Sequence, residues 1–234
     1  ADDTFNTAAG AVFDVSDTIN GGAGTDTINV SNENTYGLTD TTGDAVTLAL
    51  DIYHTNIEKV VILDNATDDT ADVTITIAAA YTGTALTIDA SALDQNALTT
   101  ANEALALTQA AADLAALTVI GGAGADILST GAAADIITGG KGSDTIDAGA
   151  GGDTINFQME TTAGDVITGG ADSDVFTMTN DAPATMGVTK ITDMDLGTAT
   201  TAKDTLNVSL AAIEGLTTVG EYTDTSDNDA VAGD

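Results

Sequence analysis

The sequence predicts an all-β fold, a solenoid of short stacked strands, and three observations lead there. A nine-residue pattern, G-G-x-G-x-D-x-U-x with U a large aliphatic, recurs: residues 21–29 read GGAGTDTIN, 121–129 read GGAGADILS and 139–147 read GGKGSDTID. Outside these repeats the chain runs in short Thr/aliphatic alternations, the period-2 signature of strands with one buried face. The punctuation between them is Asn, Asp and Gly, the residues of tight turns.

Repeats decide architecture before any local preference does. Between the two central units, residues 130–138 (TGAAADIIT) keep the second Gly, the Asp and the aliphatic, while 148–156 (AGAGGDTIN) lack only the first Gly. Four consecutive nonads thus place Asp126, Asp135, Asp144 and Asp153 in strict nine-residue register. After an interruption at 157–159 the pattern returns as Asp165-Val-Ile-Thr and as GGADSDVFT at 169–177. Upstream, Asp17-Thr-Ile-Asn stands nine residues before Asp26-Thr-Ile-Asn. Within a nonad the glycines permit positive φ and turn carbonyls towards a common point. The sixth-position Asp adds a carboxylate there, and D-x-U-x is a short strand whose aliphatic (Ile28, Leu128, Ile137, Ile146, Ile155, Phe176) faces inward. Strands this short need stacking, and such turns need a cation.

The remaining elements follow in chain order. Residues 46–64, 73–77 and 84–91 read as strands whose irregular spacing suits further solenoid coils with variable loops. Residues 94–117 are rich in Ala and Leu and free of Gly, with Asp94 placed as an N-cap, which predicts a helix inserted in the solenoid. A further pair of Leu/Thr coils is the competing reading. From Lys190 the strand–turn–strand pattern returns, and residues 221–234 are an acidic, frayed tail. The organisation expected is an N-terminal segment (1–45) with a short repeat unit at 12–29, solenoid coils over 46–120, the main repeat block over 121–177, closing strands over 178–220, and the tail. Beginning at Ala1 with no Met and no signal peptide, the chain reads as a processed or excised segment.

Charge narrows function. Thirty-one Asp and six Glu face four Lys and no Arg, a formal charge of −33 over 234 residues. Such an anion repels nucleic acid and acidic membrane surfaces, and no apolar run approaches the ~20 residues of a membrane-spanning helix. Yet 43% of the residues are hydrophobic, so the chain folds instead of remaining disordered. Four lysines cannot relieve the repulsion; bound cations can. Asp is a short oxygen donor suited to hard divalent ions such as calcium. Without cysteine there are no disulfides, Cys-ligated zinc or thiol nucleophiles. Calcium sites of ordinary affinity fill outside cells, which favours an extracellular setting. Asp40, Asp44, Asp64, Asp68, Asp69 and Asp72 read as solvated loop residues. His54, the single histidine, reads as a surface or strand residue, and Lys59 and Lys141 as cations that pair locally. No H-E-x-x-H, G-x-S-x-G or P-loop occurs, and the carboxylate pairs already have a cation role, so no enzyme is expected.

These residues resemble the RTX calcium-binding repeat proteins, for which the nonapeptide is the mark. The stretches LTIDASAL (86–93) and LTVIGGAGAD (117–126) resemble the calcium-dependent surface-layer proteins of Gram-negative bacteria, and residues 190–208 resemble the segment that closes an RTX block. The resemblance implies a right-handed parallel β-roll with two nonads per coil and ions held between turns of successive coils. Carried over, Asp126 pairs with Asp144 on one edge and Asp135 with Asp153 on the other. Carbonyls of Gly121, Gly122, Ala123 and Gly124, and of Gly139, Gly140, Lys141 and Gly142, complete shells on the first edge; Gly131, Gly149, Ala150 and Gly151 serve the second. The unit at 130–138 lacks two glycines, which implies a weaker site. Beyond the interruption, Asp165, Gly169, Gly170, Asp172 and Asp174 follow, and Asp193, Asp195 and Asp204 match the closing segment. Asp17, Gly21, Gly22, Gly24 and Asp26 form a shorter cluster, completed from elsewhere in the fold.

The function this implies is an extracellular, calcium-binding structural protein. It leaves the cell unfolded by type I secretion, folds with calcium, and self-assembles into a surface layer or fibre. Its partner would be itself, with a cell-surface polysaccharide as a second candidate, and no nucleic acid or membrane insertion. A module of a large adhesin, and the carrier repeat of a secreted enzyme or toxin, are the alternatives.

Overall fold

Alternating Thr and branched aliphatics fit a pleated, half-buried surface, and the segments so patterned are strands in the computed structural model. It describes residues 1–6, 18–31, 46–51, 53–63, 72–79, 81, 83, 85–93, 103–112, 115–158, 164–179, 187–195, 197 and 203–208. The strands in chain order are β1 (Thr4–Asn6), β2 (Ile19–Asn20), β3 (Thr27–Ser31), β4 (Val46–Leu50), β5 (His54–Thr55), β6 (Lys59–Leu63), β7 (Val73–Ile77), β8 (Ala85–Asp89) and β9 (Leu105–Gln109). They continue as β10 (Ala116–Ile120), β11 (Ile127–Ser129), β12 (Ile136–Thr138), β13 (Thr145–Asp147), β14 (Thr154–Gln158), β15 (Val166–Thr168), β16 (Val175–Thr179), β17 (Lys190–Ile191) and β18 (Thr205–Val208).

From β6 onward, successive strands go alternately to two sheets. One has the order β1-β3-β6-β8-β10-β12-β14-β16-β18, the other β17-β15-β13-β11-β9-β7-β4, and β2 pairs with β5 in a small third sheet. Every pairing between these strands is parallel. A parallel sheet whose neighbours are one full circuit apart is a solenoid. The circuit is eighteen residues at the central nonads, twenty-one where 157–159 intervene, and thirty-two between Asp26 and Glu58. Variable circuits share one register because only the strands must match.

That register aligns the inward side chains. In the larger sheet Phe5, Ile28, Val60, Ile88, Val119, Ile137, Ile155, Phe176 and Leu206 occupy equivalent positions. In the other sheet Leu48, Ile75, Leu107, Leu128, Ile146, Ile167 and Ile191 do. Both rows feed one buried apolar cluster, with Phe5 and Ile191 partly buried against it and Leu206, on the last strand, exposed. The six nonad aliphatics expected to face inward are all buried within it.

The inserted helix expected over 94–117 is not formed: Leu105–Gln109 and Ala116–Ile120 are strands, and no helix occurs among the described residues. The reading of a further pair of coils holds instead. Leu105, Leu107 and Gln109, and then Ala115, Leu117 and Val119, alternate inward, each taking a slot fixed by the coils on either side. The Gln109 amide closes the turn between the two strands by donating to the Ala115 carbonyl (2.8 Å). Helix propensity of a few tenths of a kcal/mol per residue yields to burial worth more per side chain. Asp94, the expected cap, and the tail 221–234 lie outside the described residues.

The inward row makes a direct prediction. Ile137, wholly buried between Val119 and Ile155, is expected to cost about 2–5 kcal/mol on substitution by Ala. Denaturant unfolding in saturating calcium measures it, and the exposed neighbour Ile136→Ala serves as the control with a far smaller effect.

Candidate metal-binding turns

The alternation that buries the aliphatic also buries the residue two places before it. In the nonads that residue is the sixth-position Asp. Asp126, Asp135, Asp144, Asp153, Asp165 and Asp174 are at most 2% exposed, so the carboxylates point into the stack and not out to water. Each is tied to the next coil. The Asp126 N–H donates to Oδ1 of Asp144 (2.9 Å) and the Asp144 N–H to Oδ1 of Asp165 (3.0 Å). On the other sheet, Asp135 N–H donates to Asp153 Oδ1 (2.8 Å), Asp153 to Asp174 (2.9 Å) and Asp174 to Asp204 (3.0 Å). The carbonyl of the same Asp accepts from the following coil, as Asp126 does from Thr145 and Asp135 from Thr154. A carboxylate oxygen stands in for the ladder carbonyl at these strand entrances, and the pairs expected on the two edges are joined in this way.

At three of the turn Asp residues the second oxygen is the unsatisfied one. Oδ2 of Asp26, Asp153 and Asp174 is buried without a hydrogen-bond partner. Asp126 differs: its Oδ1 accepts from Leu105 (2.7 Å) and its Oδ2 from Gly122 (2.8 Å). Burial pushes the carboxyls of Asp126 and Asp174 up to about 6 and that of Asp153 up to about 7. The hydrogen bonds from backbone N–H groups pull the other way without cancelling it, and neighbouring carboxylates push Asp153 and Asp174 further up.

Glycine makes the space beside these oxygens. A Cβ on Gly121 would strike both Oδ2 of Asp126 and the carbonyl oxygen of Gly139; on Gly139 or Gly169 it would strike Oδ2 of Asp144 or Asp174. At Gly140 and Gly142 the backbone has φ of 106° and 101°, which L side chains rarely adopt, and the carbonyls of Gly122 and Gly124 one coil back press on those same positions. The turns therefore stack carbonyl against Cα. Among the described residues no three acidic or imidazole side chains form a group fit to hold a metal, so a metal here draws its shell from carboxylate and main-chain oxygens together. Such an all-oxygen set fits a hard cation of calcium type, and the orphaned oxygens fit the same assignment.

A family model for the RTX calcium-binding nonapeptide repeat, in four copies, matches residues 16–34 and 120–155. The chain carries RTX calcium-binding repeats. Neither a search of curated proteins nor one of solved structures returned a match.

Most of the residues expected as ligands lie in or beside these turns. Gly131 and Gly149 lie on the second edge, where their carbonyls accept from Ala150 and Ala171, while Gly151 donates to Ala171; on the first edge Lys141 donates to Gly122 and Ala123 to Leu93. Past the three-residue interruption, Asp165 and Asp174 stay in their rows, since the extra residues are taken up before the next turn. Asp172 is not in either row; it sits on an exposed turn with φ of 79°. Asp193 closes the stack by accepting from Gly169 and Gly170 (2.9 and 2.7 Å). Asp204 accepts from Asp174 and Asp195 (3.0 and 2.7 Å), and Asp195 from Gly197 (2.6 Å). Gly21, Gly22, Gly24 and Asp26 form a turn of their own, and Asp17 lies outside the described residues.

Other residues belong to the rows without lying in a glycine turn. Asp3 donates its N–H to Asp26 Oδ1 (2.7 Å), Asp26 to Glu58 Oε2 (2.7 Å), and Asp165 to the Thr189 hydroxyl (3.2 Å). A local signal existed for Asp3: Asp3-Thr-Phe-Asn repeats the Asp-Thr-Ile-Asn of 26–29 and 153–156, as Asp204-Thr-Leu-Asn does in the closing segment. Asp72, read as a solvated loop residue, is exposed and accepts from the Ala104 N–H (3.0 Å). His54 lies buried in β5 with Nδ1 3.1 Å from Asp51, and Lys59 reaches Asp89 at 3.1 Å.

Two predictions follow from the raised carboxyls. In chelator the fold retains protons that the unfolded chain releases near the ordinary Asp value of 3.8, so folding stability is greatest below that value and is lost as pH rises through about 6 to about 7. In calcium, which takes the same oxygens in their ionised form, the trend across that window reverses; thermal melts at a series of pH values test both arms. Asp153→Asn keeps an acceptor for the Asp135 N–H but removes the charge. It is expected to raise the melting temperature in chelator at about pH 8 and to weaken calcium binding about tenfold or more in calorimetry.

Proposed function

We propose that the chain is a secreted structural protein of the cell exterior that folds on binding calcium and assembles into a surface layer or extracellular fibre. The observation that carries this reading is the pair of inward carboxylate rows. Buried carboxylates without cations must hold protons, and at neutral pH that opposes folding. Calcium removes the opposition, so its binding free energy becomes folding free energy. The chain is thus competent for export while unfolded, where free calcium is low, and rigid once outside. RTX repeats generally accompany type I secretion, which agrees with that order of events.

Assembly rests on the sheet edges. Among the described residues β1 and β18 end the larger sheet and β4 and β17 the smaller, and none of these strands has a partner on its outer side. Open parallel edges pair with something or are covered, and a second copy of the chain presents the matching edge. A catalytic role has no support in the motifs, and the only imidazole is buried against Asp51.

Calcium titrated into chelator-treated protein at neutral pH is expected to convert a largely disordered circular-dichroism spectrum into a β spectrum, with ordered sheets or fibres in electron micrographs. A full β spectrum in chelator overturns the folding half. Monodisperse single chains in calcium overturn assembly and favour the adhesin or carrier alternatives.

A further inference from the structure

Among the described residues the repeat unit at 21–29 has no nonad stacked on it. Its neighbours in the larger sheet are β1 and β6, and β6 is preceded by Asn56-Ile57-Glu58 and not by a glycine turn. That three-residue corner nevertheless reproduces both contacts of a nonad-on-nonad step. At 121–126 a Cβ on Gly121 would strike Asp126 Oδ2 and the Gly139 carbonyl oxygen; at 21–26 a Cβ on Gly21 would strike Asp26 Oδ2 and the Asn56 carbonyl oxygen. The Asp126 N–H donates to the Asp144 carboxylate, and the Asp26 N–H to Glu58 Oε2 at 2.7 Å. Glu reaches across the shorter corner with its additional methylene.

Asn56 is held in the conformation this needs. Its φ is 54°, a left-handed value that Asn tolerates better than most residues, and its side-chain amide donates to Asn20 Oδ1 (2.8 Å), which also accepts the Gly22 N–H (3.0 Å). Asp26 itself is fully buried. Its Oδ1 is taken by the Asp3 N–H, and its Oδ2 has no hydrogen-bond partner. A buried carboxylate oxygen left open beside a main-chain carbonyl is an incomplete coordination shell.

We propose that Asp26, the Asn56 carbonyl and Glu58 hold a calcium ion between a repeat turn and a non-repeat corner, a site separate from those of residues 121–177. The proposal rests on the calcium reading given above, and what it adds is that Asn56 and Glu58, outside any nonad, complete the shell that the Asp26 turn begins. The ion ties residues 21–31 to β6 across a thirty-two-residue circuit.

Tyrosine supplies a local probe. The buried Tyr81 hydroxyl donates to the carbonyl of Ile57, between Asn56 and Glu58 (2.9 Å), whereas residues 121–177 contain no tyrosine and the chain no tryptophan. Terbium in place of calcium luminesces when a nearby tyrosine is excited. Tyrosine-excited terbium emission is expected from the parent chain and should fall sharply in Tyr81→Phe, with calcium stoichiometry by calorimetry unchanged. Asp26→Asn and Glu58→Gln are each expected to abolish that emission and to remove one equivalent of calcium, while keeping the β spectrum in calcium. Glu58→Gln retains an acceptor for the Asp26 N–H, which separates lost binding from lost folding. Unchanged emission and stoichiometry in both variants overturn this site alone. A parent chain that takes up no calcium overturns the function proposed above and this site with it.

Discussion

The structure depends on a row of carboxylates buried one behind another at the entrance to successive strands. A parallel ladder needs an acceptor for each N–H where the chain turns in, and in this protein the Asp of the next coil supplies it through Oδ1. At Asp26, Asp126, Asp144 and Asp174 the other oxygen then lies in buried space that a glycine has cleared. Hydrogen bonding and charge pull in opposite directions at the same residue: the ladder favours a carboxylate there, and burial disfavours its ionisation. A divalent cation reconciles the two, because it is the one partner that neutralises several such oxygens without occupying the volume of a side chain.

The same inward position is apolar in the middle of the stack. By strand register Leu86 and Leu117 stand where Glu58 and Asp135 stand in neighbouring coils, and Val73 and Leu105 stand in line with Asp126. These four aliphatic side chains are buried. One slot therefore accepts either a carboxylate served by a cation or an aliphatic served by its neighbours, with no change in backbone register. The solenoid joins a hydrophobic central part to carboxylate-lined parts on both sides, and coils of eighteen and thirty-two residues share a single sheet.

Much of this was legible in the residues. The nine-residue register placed Asp126, Asp135, Asp144 and Asp153 in pairs, and D-x-U-x placed Ile137 and Ile146 in the core, because strict spacing leaves the chain no other way to stack. Three things were not legible. The segment 94–117 carried helix-forming residues, and only the neighbouring coils could impose the period of two read in Leu105, Leu107 and Gln109. Glu58 and Thr189 serve the rows from corners that contain no nonad, so no repeat marked them. Asp204, expected at the closing segment, accepts from the backbone N–H groups of both Asp174 and Asp195, a tie to two different coils that its own sequence neighbours did not mark. In a solenoid, position in the stack decides what an Asp does as much as its own sequence neighbours.

Amide hydrogen exchange at Asp126, Asp135, Asp144 and Asp153, compared in calcium and in chelator at neutral pH, tests the dependence of the rows on a cation most directly. Strong protection of all four N–H groups in calcium and exchange at unfolded-chain rates in chelator is the predicted result. Equal protection in both conditions would contradict the account, since the carboxylate rows would then stand without an ion.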